Sequence, residues 1–587
     1  MDFSGIQSDL GGVKHMAHAW DEIDQFRGTL VKGEWPTLPE LFEMAYKRYP
    51  ENPCFVSYEP DRVELNYTEV YLKIRRAAAY MRDRGITKGS RVLLCGGNSM
   101  DWAIGYYAVL FAGATLVPID NTMHADKCTR LCKYAKVTFA ICDFEILEKL
   151  SKVEDSWFGS LNGKLLLKGK TDKYDKLLTL ENDPITEKYP LEENDWAAIL
   201  FTSGTTGNEK GAVLTHRNIT SNTYQAADFI PYLDEHEVFY ALLPLHHAYC
   251  CTTTLHETVR FGAQCIFGHG IVVSRMINDM KKGHVTVFMG IPMLYNKVLD
   301  GVMSGLKKKG KLTYGLVLAL MNINGWCVKV FKKGPFNGFF KKNITSQIGL
   351  DHARLLICGA GPLAPMVFKR YQQLGLPFLQ GYGLTEASPV TTLNPPEHFK
   401  IESIGKALSF IDLIIGDPDE EGVGEIRIKG PNVCVGYLDD EENTKALFDE
   451  NGYLRTGDIG SMDSEGYVVL KGRSKNVIVT EGGKNVFPEE IEDMFQLNTE
   501  IDQILIRAYQ PEGATVPSEH IEAVIYPSPD YAKKENITLE EQKKIIEKSV
   551  EEVNRQLVAY KKIERITYVD EPMQMTTTKK IIRRTVK

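Results

Sequence analysis

The apolar run Ala197-Ala-Ile-Leu-Phe-Thr202 continues directly into Ser203-Gly-Thr-Thr-Gly-Asn-Glu-Lys-Gly211, a strand-like segment ending in a loop of small and hydroxyl-bearing residues with one lysine. A strand feeding a glycine-rich loop restricts the fold, because in layered α/β bodies ligands bind where strands end at their carboxyl side. Gly204 and Gly207 let the backbone approach a ligand and take positive φ. Thr202, Ser203, Thr205 and Thr206 offer hydroxyls, and Lys210 supplies positive charge, so the loop reads as one built to hold phosphates, with an ordinary glycine-rich turn as the alternative when it is taken alone. The spacing is not that of a P-loop NTPase: counted from Gly204, Glu209 falls where the second glycine should be, and Gly211 replaces the Ser or Thr.

The same alternation recurs along the chain. Arg91-Val-Leu-Leu-Cys95 reads as a short buried strand and Trp102 to Gly113 as an apolar helix; Gln264 to Phe267, Val285 to Met289 and Leu355 to Cys358 are further strand-like runs. The predicted architecture is α/β, a large layered body with mostly parallel sheets, followed by a smaller α+β domain. At 587 residues the chain is too long for one core, and the expected division is 1–471 and 472–587. The second part holds Ile491 to Gln496, the strand-like runs Gln503 to Ile506 and Glu522 to Ile525, and a charged helix from Leu539 to Leu557.

A formal net charge of −8 argues against a general nucleic-acid binder. The eleven cysteines form no paired C-x-x-C zinc pattern; Cys250-Cys251 and Cys128-x-x-x-Cys132 read as buried thiols of a reducing, cytoplasmic compartment. The N-terminus shows no signal peptide, and no stretch is expected to reach the roughly 18 to 20 apolar residues of a membrane span. Residues 301–343 stand apart, carrying Lys307, Lys308, Lys309, Lys311, Lys329, Lys332, Lys333, Lys341 and Lys342 with no acidic residue. Two readings stay open there: a solvated helical hairpin on the body, or an interfacial helix in peripheral contact with the inner membrane face.

Four ordered motifs together resemble the adenylate-forming, acyl-activating superfamily, and within it bacterial long-chain fatty acyl-CoA ligases. They are the loop above, Gly381-Tyr-Gly-Leu-Thr-Glu386, Tyr453-Leu-Arg-Thr-Gly-Asp458, and Gly472-Arg-Ser-Lys475 running into Gly483-x-x-Val486-x-Pro488-x-Glu490-Ile-Glu492. The resemblance implies ATP, Mg²⁺ and CoA as cofactor and co-substrates and a medium- to long-chain fatty acid as acyl donor. It implies that Thr202 to Lys210 wraps the β- and γ-phosphates, that Glu386 with Thr202 holds the metal, and that Thr385 meets the α-phosphate. Gly359, Ala360, Gly361 and Pro362, with Gly381, Tyr382, Gly383 and Leu384, would border adenine, and Asp458 and Arg473 the ribose. Lys475 would be the hinge of a mobile C-terminal lid and Lys580 the catalytic lysine, with Lys579 standing where many members have glycine. His247 in Leu243-Pro-Leu-His-His-Ala-Tyr249, with Gly381 and Gly359 to Pro362, would line the acyl pocket, and Gly482 and Gly483 the path of the CoA arm. Three further positions depart from the family pattern: Glu209 replaces a common proline, and Met293 and Asn296 replace an Arg and a Glu. An acyl carrier protein as acceptor, and a catalytically idle nucleotide- or lipid-binding homologue, are the alternative readings.

Overall fold

The computed structural model describes residues 18–59, 61–186, 189–203, 209–270, 272–480, 483–510, 520–575 and 581–586. Gly204, Thr205, Thr206, Gly207, Gly482, Lys579 and Lys580 lie outside the described residues.

Two large sheets form the body. One has nine strands, ordered Lys406–Ala407, Val390–Leu393, Phe378–Gly383, Leu355–Cys358, Val287–Gly290, Val238–Ala241, Gln264–Phe267, Pro53–Ser57 and Val63–Asn66. Its centre is parallel and its two edges antiparallel. The other has seven strands, ordered Gly436–Tyr437, Glu209–Thr215, Trp196–Ser203, Thr115–Pro118, Arg91–Cys95, Phe139–Cys142 and Gly163–Leu166, parallel except at the Trp196–Ser203 side. The mixed, mostly parallel α/β architecture expected from the alternating pattern is present.

Helix Met100–Phe111 is apolar all round and buried at every position, as a helix enclosed in a core must be. Ser99 caps its N-terminus through a bond from the Trp102 amide. Helix His216–Asp228 is also enclosed although its sequence is polar. Thr220 and Thr223 bond the carbonyls of His216 and Ile219, while Asn222 donates to the Val390 carbonyl and accepts from the Val390 amide. Every partner needed to bury these groups is thereby supplied. All eleven cysteines are free thiols and ten are buried, in keeping with core packing.

A four-stranded antiparallel sheet follows, ordered Asp412–Gly416, Gly424–Lys429, Leu454–Met462 and Val468–Arg473. Beyond it, strands Ile501–Tyr509, His520–Pro527 and Arg565–Tyr568 make a three-stranded sheet. Helix Leu539–Gln556 covers it, burying Gln542, Ile546, Val550 and Val553 at helical spacing.

The lysine-rich segment is helical. Pro292–Lys308 and Lys311–Phe331 are joined at Gly310, whose φ is +106°. The expectation that no stretch is long and apolar enough to cross a membrane is corrected: Lys311–Phe331, at 21 residues, meets that test by length and composition. Its polar breaks are too sparse to lower the average. One of them, Asn324, is buried against the body, donating to the Gln373 carbonyl at 3.0 Å and to Asn337 Oδ1 at 2.8 Å and accepting from the Phe336 amide.

Candidate active site

The phosphate-type loop connects an antiparallel pair, with Thr202 opposite Lys210 and Ser203 opposite Glu209, so no helix opens directly from it. Thr202 Oγ1 donates to the Lys210 carbonyl at 3.4 Å. Lys210 bonds Asn443 Oδ1 and lies 5.0 Å from the centre of the Tyr437 ring. Tyr437 is brought there because Gly436–Tyr437 adds to the sheet edge opposite Val213 and Ala212. Its hydroxyl donates to Glu386 Oε1 at 2.8 Å, and burial followed by the Glu386 charge raises its pKa, keeping it a neutral donor. The Glu386 carbonyl accepts from the Cys434 amide at 2.8 Å, fixing the turn Thr385–Ala387 to the same edge. Leu384 donates its amide to the Pro389 carbonyl at 3.0 Å. Lys210, Tyr437 and Glu386 thus form one chain of contacts built from three distant segments. Glu209 is ion-paired with Lys127, so the acid that replaces the common proline has a cation beside it.

A second group surrounds Asp458, whose side chain is 5% exposed. Antiparallel pairing sets Asp458 opposite Arg473, with Arg473 Nε 2.9 Å from Oδ1. Tyr382 donates its hydroxyl to Oδ2 at 2.6 Å, and burial together with Asp458 holds that phenol well above its ordinary pKa. The carboxylate is therefore tightly oriented. Glycines on the Tyr382 strand have a steric cause: a Cβ on Gly383 would lie 1.9 Å from the Pro389 carbonyl oxygen, and one on Gly381 3.1 Å from that of Thr392.

Ala360, Gly361, Pro362, Gly381, Tyr382, Gly383, Asp458 and Arg473 all line one cleft of about 1410 Å³. Its opposite wall comes from the C-terminal part, including Glu489, Gln496 and Arg583. Gln496 bridges the two sides, its Oε1 accepting from the Ala364 amide at 2.8 Å and its Nε2 donating to the Pro362 carbonyl at 3.0 Å. Asn296 donates to the Gln496 carbonyl at 3.4 Å, so this residue, in place of an expected Glu, meets the opposite wall. Ala360 takes a left-handed φ of +62°, and a Cβ on Gly359 would lie 2.8 Å from the Tyr249 ring. Lys475 is exposed in the turn Ser474–Asn476, beside the bond from Asn476 Nδ2 to Glu489 Oε1 at 2.6 Å. Gly483 is exposed, with φ +67°.

His247 immediately precedes the helical turn Ala248–Cys250, which runs into a π-helical turn, Cys251–His256. The His246 and His247 rings lie 4.2 Å apart. Burial lowers both pKa values, that of His246 to about 3 with His247 as a further cause, so the pair is neutral near pH 7. The cavity beside His246 measures about 10 Å³, too small for an acyl chain as it stands.

Sequence reasoning missed Tyr437, Asn443, Lys127 and Gln496. Each lies far in sequence from what it touches, and no local motif marks it.

The AMP-binding enzyme family model matches residues 42–438. The long-chain-fatty-acid–CoA ligase ACSBG2 of Homo sapiens is 28% identical over 483 residues, 78% of this chain and 72% of that protein. Its counterparts in Xenopus laevis and Gallus gallus are 28% and 27% identical, and this chain spans 65% and 63% of their lengths, less than two thirds. Among solved structures, ATP-bound MatB of Rhodopseudomonas palustris superposes with a TM-score of 0.73 at 23% identity, covering 93% of this chain and 98% of that one. The anthranilate CoA ligase AuaEII with anthranoyl-AMP gives 0.75 at 18%, covering 94% and 96%. These likenesses agree with the fold, and the family match runs from within the buried helix Leu38–Arg48 to just past the Tyr437 that joins Lys210 to Glu386: this chain belongs to the AMP-binding enzyme family.

Proposed function

We propose that the chain is an AMP-forming fatty acyl-CoA ligase acting on medium- to long-chain acids. The observation that carries this reading is the oriented Asp458 carboxylate, held by Tyr382 and Arg473 in the cleft between the body and the C-terminal part. A free carboxylate is a poor electrophile, so the fatty acid oxygen first attacks the α-phosphorus of ATP and pyrophosphate leaves. The CoA thiol then attacks the acyl carbon, AMP leaves, and the thiol proton passes to solvent. Neither step needs a nucleophile from the protein; the work is positioning and charge stabilisation.

In this reading Asp458 and Arg473 hold the ribose, the Gly359 to Pro362 turn and Tyr382 border adenine, and Lys210 with the loop before it takes the phosphates. Thr385, next to Glu386, would meet the α-phosphate. Magnesium would be held by oxygen donors, which the Glu386 carboxylate and the Thr202 hydroxyl supply. A single carboxylate, Glu386, with the Thr202 hydroxyl suits an ion that arrives with phosphate oxygens and neutralises their charge. The neutral His246–His247 pair provides shape and hydrogen bonding at the acyl pocket, and no counter-charge. Lys580 serves the first step and Lys475 the reorientation before the second, with Gly482 and Gly483 beside the CoA arm. The Lys127 partner of Glu209 and the retained Lys210 support an active loop over the idle reading.

The test is ATP–pyrophosphate exchange across fatty acids from acetate to oleate, repeated with CoA while AMP and acyl-CoA are followed. Exchange peaking at medium to long chains with thioester formed is expected. Exchange without transfer to CoA, but with transfer to holo acyl carrier protein, would reassign the acceptor; ATP binding with no exchange on any acid would overturn the reading.

A further inference from the structure

Helix Lys311–Phe331 has two apolar faces. One carries the buried Val317, Met321 and Asn324 and is fixed to helix Pro365–Gln373, with Asn324 bonded to the Gln373 carbonyl and a Cβ on Gly325 only 2.7 Å from the Gln373 side chain. The other carries Leu312, Leu316, Ala319, Ile323, Trp326 and Val330, spaced 4-3-4-3-4, and every one is exposed. Leu312 is 92%, Leu316 63% and Trp326 59% exposed. A continuous apolar stripe along a 21-residue helix is not needed to complete the core, because the opposite face already does that.

We propose that this stripe docks on an anionic phospholipid surface, with the helix lying in the plane of the interface. Charge complementarity selects the partner. The nine lysines of residues 301–343 are all exposed and have no acidic residue among them, in a chain whose net charge is −8. They sit just before, near the end of and just after the helix, so the apolar stripe is flanked by cations, the pattern of an interfacial helix attracted to acidic headgroups. A second copy of this chain pairing through the same face would bring two lysine clusters together, which electrostatics opposes. Spanning is also disfavoured, since it would tear Asn324 from its three partners and place it in hydrocarbon. The other side of the same helix pair, at Met303, Lys307 and Tyr314, lines the large cleft. A docked membrane therefore lies against the rim of that cleft.

The full chain is floated with phosphatidylcholine vesicles and with vesicles of 3:1 phosphatidylcholine to phosphatidylglycerol. Binding about tenfold or more stronger to the anionic vesicles is expected, weakening as salt is raised. A blue shift of emission that disappears in Trp326→Phe is expected to accompany it. The double variant Leu316→Asp, Ile323→Asp, whose melting temperature verifies folding, is expected to lose at least about tenfold in vesicle affinity. Absence of binding to both vesicle types, or undiminished binding by the folded double variant, overturns the proposal. So does a concentration-dependent dimer that the double variant abolishes while vesicles are ignored. All readouts are independent of activity, so failure here leaves the ligase reading standing.

Discussion

The body and the C-terminal part are held together internally by the same force but joined to each other by a different one. In the body one large apolar cluster runs from Ile23 through Trp102, Phe239 and Leu356 to Val468, linking both large sheets, and a second gathers Leu93, Val117, Leu147 and Ile199. The C-terminal part has its own small core of Ile478, Ile491, Ile506, Val550 and Ile563, and shares no buried apolar member with the first. Across the cleft the bonds made by Gln496 and Asn296 are polar. Apolar packing fixes a geometry because close-packed side chains fit in one way. A few hydrogen bonds can be exchanged for water or remade elsewhere at little net cost. The contrast teaches that each part has a core of its own while the bonds named across the cleft are polar, so in the reading proposed above the seam is where reorientation would take place.

The largest expected effect that would break the comparison is Ile546→Ala in the small core. The residue is fully buried, and its truncation costs about 2–5 kcal/mol. Hydrogen exchange should show protection lost in strands Ile501–Tyr509 and His520–Pro527 and retained in the body strands; equal loss in both would mean that the cores are coupled. Next, Lys580→Ala is expected to lower pyrophosphate exchange roughly 10²- to 10³-fold. Thioester formation from supplied acyl-adenylate should change little, because in the proposed reading the lysine serves only the first step. The same result with Lys579→Ala would move the assignment by one residue.

Glu257 in the body and Glu522 in the C-terminal sheet should respond to pH in opposite directions. Burial raises the pKa of Glu257 in the body to about 8, with Arg260 opposing. Its contribution to stability is therefore present below about pH 4.5 and lost as pH rises through 8. Glu522 in the C-terminal sheet is also penalised by burial, but Arg565, Thr567 and Arg507 outweigh this and bring it to about 2. Its contribution is present above about pH 4.5 and lost as pH falls through 2. Glu257→Gln should therefore remove a loss of stability from the body between about pH 4.5 and 8, and Glu522→Gln a loss from the C-terminal sheet between about pH 4.5 and 2, each read by hydrogen exchange in the strands concerned. The smallest effect is expected of Gln496→Ala, which removes two bonds across the cleft and one to Asp493, worth about 0.5–1.5 kcal/mol each. The ratio of the two half-reaction rates should shift by severalfold with no change in melting temperature. A lowered melting temperature instead would show that the seam carries stability.

The sequence was most legible where chemistry is local. Arg91–Cys95, Gln264–Phe267 and Leu355–Cys358 are strands with the expected bounds, since runs of apolar residues between turns have few other solutions. Asp458 and Arg473 were recognisable by motif, but their pairing depends on strand register, and the Tyr382 hydroxyl reaches Asp458 from 76 positions away. Tyr437 and Lys210 meet only because a two-residue strand adds to a sheet edge. Such contacts depend on tertiary placement and leave no periodic trace. Helix His216–Asp228 is instructive for the same reason: its composition is polar, yet it is buried, with partners for Thr220, Thr223, Asn222 and Asn218 supplied by its own backbone, Val390, Pro431 and Val433.

The ion pair between Lys127 and Glu209 makes the two positions a unit with respect to substitution. Glu209→Pro alone would restore the commoner loop and at the same time leave Lys127 as a surplus cation, while Lys127→Ala alone would leave a bare acid beside incoming phosphate. The double change should be milder than the sum of the two, so the tolerance of this loop to change is a property of a pair of residues on different elements, and scanning either one by itself would misjudge it.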